Sequence, residues 1–111
     1  MTDRIVTNED VERALSWLRD SAFDIGQAKA RAVKAENMLK HVEALMFVGS
    51  DAKSAEARKC EARTTSEYLD AINEHAFAAG ELAKLYSLRE AAAMKIEAWR
   101  TQESNFRAMK V

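Results

Sequence analysis

"VERALSWLRDSAFDIGQAKARAVKAENMLKHVEALM", residues 11–46, decides the fold. Its apolar residues Val11, Leu15, Leu18, Ala22, Ile25, Ala28, Ala32, Ala35, Leu39, Val42 and Met46 recur in steps of three and four. Such spacing puts them on one face of a helix. Thr7 and Asn8 precede the run, Asp10 stands three residues after Thr7 as in a capping box, and Glu9, Asp10 and Glu12 suit the positive end of a helix dipole. The spacing predicts a helix over about 8–48, a rod of about 60 Å at 1.5 Å per residue. Gly49 is placed to end it in the left-handed conformation that glycine adopts freely.

Beyond Gly49, Ser50 or Asp51 can cap a short helix over about 51–63. "TTSE" at 64–67 matches the S/T-x-x-E capping box and predicts a second long helix over about 65–105. Its expected apolar face is Leu69, Ile72, Ala76, Ala79, Leu82, Ala83, Tyr86, Leu88, Ala92, Ile96 and Trp99. Two long helices of matched length with a short helix between them fold back readily. The expected fold is therefore all-α: an elongated antiparallel helical hairpin, one domain over 1–111, able to dimerise.

Composition agrees. Proline is absent from the 111 residues and glycine occurs only at 26, 49 and 80, so the usual turn formers are scarce. The apolar fraction of 48% includes 21 alanines, which leaves a thin supply of bulky core side chains. A small chain with so thin a core often recruits a second copy or another partner. The net charge of −1 gives no global attraction for nucleic acid or for a membrane surface. A single cysteine, Cys60, allows no internal disulfide, and no stretch approaches the ~20 apolar residues of a membrane span. A cytoplasmic location follows as the expectation, with Asp3 and Arg4 preceding any apolar run.

Charge patterning favours the antiparallel arrangement. Residues 67–81 carry Glu67, Asp70, Glu74 and Glu81 with no Lys or Arg, while 29–40 carry Lys29, Arg31, Lys34 and Lys40 against Glu36. Residues 84–110 sum to +3 and 3–20 to −2. If facing residue numbers sum to about 113, as a reversal centred between Gly49 and Thr64 implies, Gly80 faces the Ala-rich turns at 28–35 and Gly26 faces Tyr86. Either glycine then has a packing reason to offset its cost of about 1 kcal/mol against alanine.

The same register brings Trp99 near Ala14 and Trp17 near Ile96. Trp17, Ile96 and Trp99, with Leu18 and Leu88, would form an aromatic plug at the open end of the hairpin. The competing reading makes Trp99, Arg100, Phe106 and Arg107 a partner-docking patch, because Trp and Arg are frequent binding hot spots. Glu103 lies between Arg100 and Arg107 at salt-bridge spacing to both, which suits a self-paired surface. Lys95, Arg100, Arg107 and Lys110 with Trp99 and Phe106 could instead track single-stranded nucleic acid. His41 and His75 would fall within about a turn of each other, near Glu43 and Glu74, but no metal-binding spacing accompanies them. No Gly-rich phosphate loop and no nucleophile with its base is legible, so no cofactor, metal site or catalytic residue is expected.

The run "LREAAAMKIEAWRTQESNFRA", residues 88–108, resembles the closing segment of small all-helical proteins encoded by tailed bacteriophages and prophages. Those proteins often carry Leu-Arg, then Lys-Ile-Glu-Ala-Trp-Arg, then an Asn-x-Arg-Ala ending, which Leu88, Arg89, Lys95 to Arg100, Asn105, Arg107 and Ala108 match. "DVERALSWLRD", 10–20, resembles their first helix more loosely, and Phe106 stands where a polar residue is expected. The resemblance covers about a third of the chain. It implies a phage protein of unassigned activity, encoded beside replication and recombination functions, and transfers no catalytic residue. The expected function is non-enzymatic binding of a phage or host protein of DNA metabolism. Alternatives are a single-stranded nucleic-acid-binding recombination accessory, a structural assembly protein, and an inhibitor of a host defence complex or nuclease acting through the acidic face of Glu67, Asp70, Glu74 and Glu81.

Overall fold

The computed structural model describes residues 4–110. The protein is all-α, with α1 (Asn8–Asp20), α2 (Ala22–Val48), α3 (Ala55–Arg63) and α4 (Ser66–Met109), and no strand occurs among the described residues. The helices divide into two compact units, one formed by the chain up to Ile25 with the chain from Lys84, the other by Gly26–Ala83. Asp3, counted above in the charge of the first helix, lies outside the described residues.

In the first unit, α1 runs antiparallel to the C-terminal part of α4. Asn8 meets Trp99, while Ala14 and Trp17 share a groove with Leu88 and Ala92. In the second unit, α2 runs antiparallel to the returning chain, since Arg31 bonds to Glu74 and Glu43 bonds to Arg63. Facing residue numbers sum to 105 at Arg31–Glu74, 106 at Glu43–Arg63 and 107 at Asn8–Trp99, not to about 113. The cause is the position of the reversal. The chain turns within 49–54, ahead of α3, so α3 already belongs to the returning limb.

That turn closes without a left-handed residue, because no glycine among the described residues has positive φ. Gly49 continues the helical ladder by donating to the Leu45 carbonyl. The buried Ser50 hydroxyl donates to Glu61 Oε2 at 3.0 Å and accepts the Ala52 N–H at 3.1 Å, which leaves Ser54 to cap α3 by accepting the Ala57 N–H. At the next break Thr65 caps α4, accepting the Tyr68 N–H, so the box expected from "TTSE" acts one residue later and without Glu67.

The helix expected over 8–48 is interrupted at Ser21. There the backbone stays right-handed with ψ of −8°, yet the Ser21 N–H still bonds to Trp17 and the Ser21 carbonyl still accepts from Ile25. The interruption is a local unwinding, and α2 resumes at once.

Burial along α1 and α2 follows Val11, Ala14, Leu18, Ser21, Ile25, Ala28, Ala32, Ala35, Leu39, Val42 and Met46, all buried or half-buried. Steps of three and four alternate without exception, the 3.5-residue period of helices packed along a seam. Leu15 and Ala22, expected on this face, are exposed, and Ala14 and Ser21 take their places. On α4 the seam runs Tyr68, Ala71, His75, Ala78, Leu82, Leu85, Ala92, Ile96, Trp99 and Phe106. The first half of the expected face is thus displaced by one residue, because the 105–106 register of the second unit turns Leu69, Ile72, Ala76, Ala79 and Ala83 outward.

The core is thin, as the alanine content implies. Its buried apolar residues are Val11, Ala14, Ile25, Ala35, Ala62 and Ala78, and no bulky side chain among the described residues is fully enclosed. Gly26 and Gly80 have no packing reason within their unit, since an added Cβ at either would meet nothing within 4 Å. Gly26→Ala should therefore stabilise the protein by about 0.5–1 kcal/mol through helix propensity and reduced freedom of the unfolded chain, read from the urea midpoint at unchanged slope.

Candidate functional site

Four side chains of α4 in the first unit project from one face toward the start of the chain. Gln102 accepts the N–H groups of Ile5 and Val6 at 2.9 and 3.1 Å through Oε1 and donates to the Val6 carbonyl at 2.7 Å through Nε2. One side-chain amide thus satisfies three backbone groups that precede α1 and have no helical partner. One turn earlier, Trp99 Nε1 donates to Asn8 Oδ1 at 3.0 Å. Next to Gln102, Glu103 forms an ion pair with Arg4, which also lies over the Phe106 ring one turn later, 4.8 Å from its centroid. Together these contacts clasp residues 4–8 against the last turns of α4.

The clasp leads directly into a reciprocal cap. The Thr7 N–H donates to Asp10 Oδ2 at 2.9 Å, Asp10 N–H donates to Thr7 Oγ1 at 3.1 Å, and Arg13 Nη2 donates to Asp10 Oδ1 at 2.7 Å. The Thr7 backbone bond, assisted by Arg13, holds the Asp10 carboxyl well below the usual carboxylate range, at about 2.

The two indoles do not gather. Trp99 sits on Asn8, the first residue of α1, whereas Trp17 near the other end of α1 lines a groove with Arg13, Leu88 and Lys95. Nine residues of helix, about 13 Å, separate Asn8 from Trp17. The expected plug of Trp17, Ile96 and Trp99 is therefore replaced by two separate contacts, the consequence of a register shifted by about six residues. Ile96 keeps its place on the seam, half-buried.

The expected docking quartet divides by face. Trp99 and Phe106, seven residues apart, lie half-buried on the seam, while Arg100 and Arg107 lie one row outward and are exposed. Arg100 pairs with Glu97 at 3.0 Å and not with Glu103, which Arg4 has taken. The charge complement expected between the chain ends is also reversed at its cross-helix pair, where the base comes from the N-terminal side and the acid from α4. Arg107 stands in the last turn of α4, where a cation suits the helix dipole.

The acidic row fares differently. Glu67, Glu74 and Glu81 are spaced by seven and lie on the flank of the seam, with Asp70 beside them, all exposed. Glu74 holds Arg31 through two bonds of 2.7 and 3.0 Å, and Arg31 also covers the Phe77 ring at 4.8 Å. The Arg31 bonds lower the Glu74 pKa, and the same bonds with the field of Glu81 raise that of Arg31. This pair realises the complementarity read between 67–81 and 29–40. No group of three or more potential metal ligands occurs among the described residues, and His75 lies half-buried on the seam while His41 is exposed.

Beside the clasp opens a shallow groove of about 390 Å³, lined by Ile5, Val6, Ala98, Thr101, Phe106 and Met109. Ile5 is 93% exposed and Met109 72% exposed. Arg4 and Lys110 flank the adjoining depression at Phe106 and Met109. The result is an apolar floor with a basic edge. The groove was not legible from periodicity, because one wall of it, Ile5 and Val6, comes from residues ahead of the first helix. The one available signal was Gln102, a polar residue next to the seam and able to serve an exposed backbone.

No helix among the described residues is long and apolar enough to cross a membrane. Comparison of the chain with protein-family models, with curated proteins and with solved structures returns no match.

Four outcomes test this geometry. Trp99→Phe, which keeps the ring and removes the donor, should cost about 1 kcal/mol in urea denaturation, and Gln102→Leu about 1–2 kcal/mol with faster amide exchange at Val6. The depressed Asp10 carboxyl stabilises the fold above its unfolded-state value, and that contribution is lost as pH falls through about 2. Carboxyl NMR should give an Asp10 midpoint near 2, and Asp10→Asn should flatten the loss of stability between pH 4 and pH 2.

Proposed function

We propose that this chain is a phage-encoded, non-enzymatic interaction protein that docks a phage or host protein of DNA metabolism. The observation that carries this reading is the open apolar groove at the joined chain ends, where Ile5 and Met109 stand in solvent beside Phe106. Exposed apolar side chains at the rim of a groove are the usual anchors for a partner helix. Arg107 and Lys110 select a partner whose apolar stripe is edged by acidic residues. The assignment to phage, and to a DNA-metabolism partner, rests on the Lys95–Arg100 and Asn105–Ala108 motifs alone.

Two observations weigh against the alternatives. A single-strand-binding face needs free rings, yet Trp99 is bonded to Asn8 and Phe106 is covered by Arg4. An inhibitory acidic face needs unpaired carboxylates, yet Glu74 at its centre is engaged by Arg31.

The chain, tagged and expressed in its bacterial host, should capture a replication, recombination or nuclease protein that is lost with Ile5→Glu plus Met109→Glu, while circular dichroism stays unchanged. Capture that survives both changes overturns the reading. Binding of a single-stranded oligonucleotide that falls steeply with salt and disappears with Lys95→Glu plus Arg100→Glu would transfer the function to nucleic acid.

A further inference from the structure

The face of α4 that sequence periodicity assigns to the core is the face the structure leaves bare. Leu69 is 56% exposed and Ile72 38%, and Ala76, Ala79, Gly80 and Ala83 follow them along the same side of the helix in the second unit. The only polar side chains on that side over residues 66–83, Ser66 and Asn73, are neutral. In a chain with 32% charged residues, an outward helix face without charge over five turns is unlike a solvated surface.

We infer that this face binds a second copy of the same chain, α4 against α4 in antiparallel orientation about a two-fold axis at Ala76. The order of side chains selects that partner. Both bulky residues lie at the N-terminal end of the strip and all the small ones at its centre and C-terminal end. An antiparallel copy places Leu69 of one chain against Ala83 of the other and Ile72 against Ala79 and Gly80, with Ala76 meeting its own counterpart. Each large side chain thus faces a small one twice over, as a closed two-fold interface requires. A parallel copy would set Leu69 on Leu69 and leave the small residues facing a void.

Gly80 fits that packing: an added Cβ there meets nothing within its own unit, and in the antiparallel pair Ile72 of the second copy lies over it. The inference is independent of the groove at the chain ends, which lies in the other unit.

Sedimentation equilibrium of the full chain should give twice the monomer mass of 12.5 kDa at micromolar concentration. Ala76→Glu sets two carboxylates together at the axis, and Gly80→Leu fills the space needed by Ile72 while improving helix propensity. Each should weaken self-association by more than about tenfold without loss of helicity. In a Cys60→Ser background, Ala76→Cys should cross-link to a covalent dimer on oxidation with diamide, whereas Asp70→Cys should not. A wild-type chain that stays monomeric at 100 µM overturns the inference. So does a dimer indifferent to Ala76→Glu and Gly80→Leu, or one that Ala76→Cys does not cross-link.

Discussion

Everything in this protein depends on a helix seam in which small residues are interspersed with bulky apolar ones. Along α1 and α2 one of the two alternating seam positions is occupied by Ala14, Ser21, Ala28 and Ala35, and along α4 the corresponding heptad position holds Ala71, Ala78, Leu85 and Ala92. Alanine lets helix backbones approach closely but removes little apolar area from water, of the order of 25 cal/mol for each Å². The helices consequently pair through many small contacts, and most of the bulky side chains remain partly exposed.

A seam of this kind is nearly indifferent to sliding. A slip of one heptad still sets small or apolar residues opposite one another at most seam positions, so apolar packing alone separates the correct register from its neighbours by little. Polar contacts make the distinction. In the second unit, the forked bond of Arg31 with Glu74 and the bond of Arg63 with Glu43 are each satisfied in one register only. In the first unit, Gln102 grips the backbone at Ile5 and Val6, and Trp99 reaches Asn8. Exposed ion pairs contribute little to stability, yet they discriminate well between alternatives of similar energy.

The surface follows from the same economy of bulky residues. Apolar side chains that a larger core would enclose are left along the outside of α4 and around the joined chain ends, where each cluster has a definite shape and charge environment. The clasp organises one of them. By tying residues 4–8 down, it converts an N-terminal segment into one wall of a groove, and it explains why Trp99 and Arg100, adjacent in sequence, serve opposite ends: the indole secures the fold and the guanidinium stays in solvent.

Helix content, the capping box at Thr7 and Asp10, the break near Thr65, antiparallel pairing and the attraction between 29–40 and 67–81 were all legible in the residues themselves, because each depends on neighbours within a turn or on the sign of charge over a segment. The register, the separation of Trp17 from Trp99, the outward turn of Leu69 and Ile72, and the grip of Gln102 on Ile5 were not. Periodicity reports that a face is apolar, but adjacent apolar faces of an Ala-rich helix differ by one residue in phase, and local sequence cannot choose between them. That choice fell to the point at which the chain reverses, within 49–54, and to polar contacts between residues 20 to 97 positions apart in sequence, from Glu43 and Arg63 to Ile5 and Gln102.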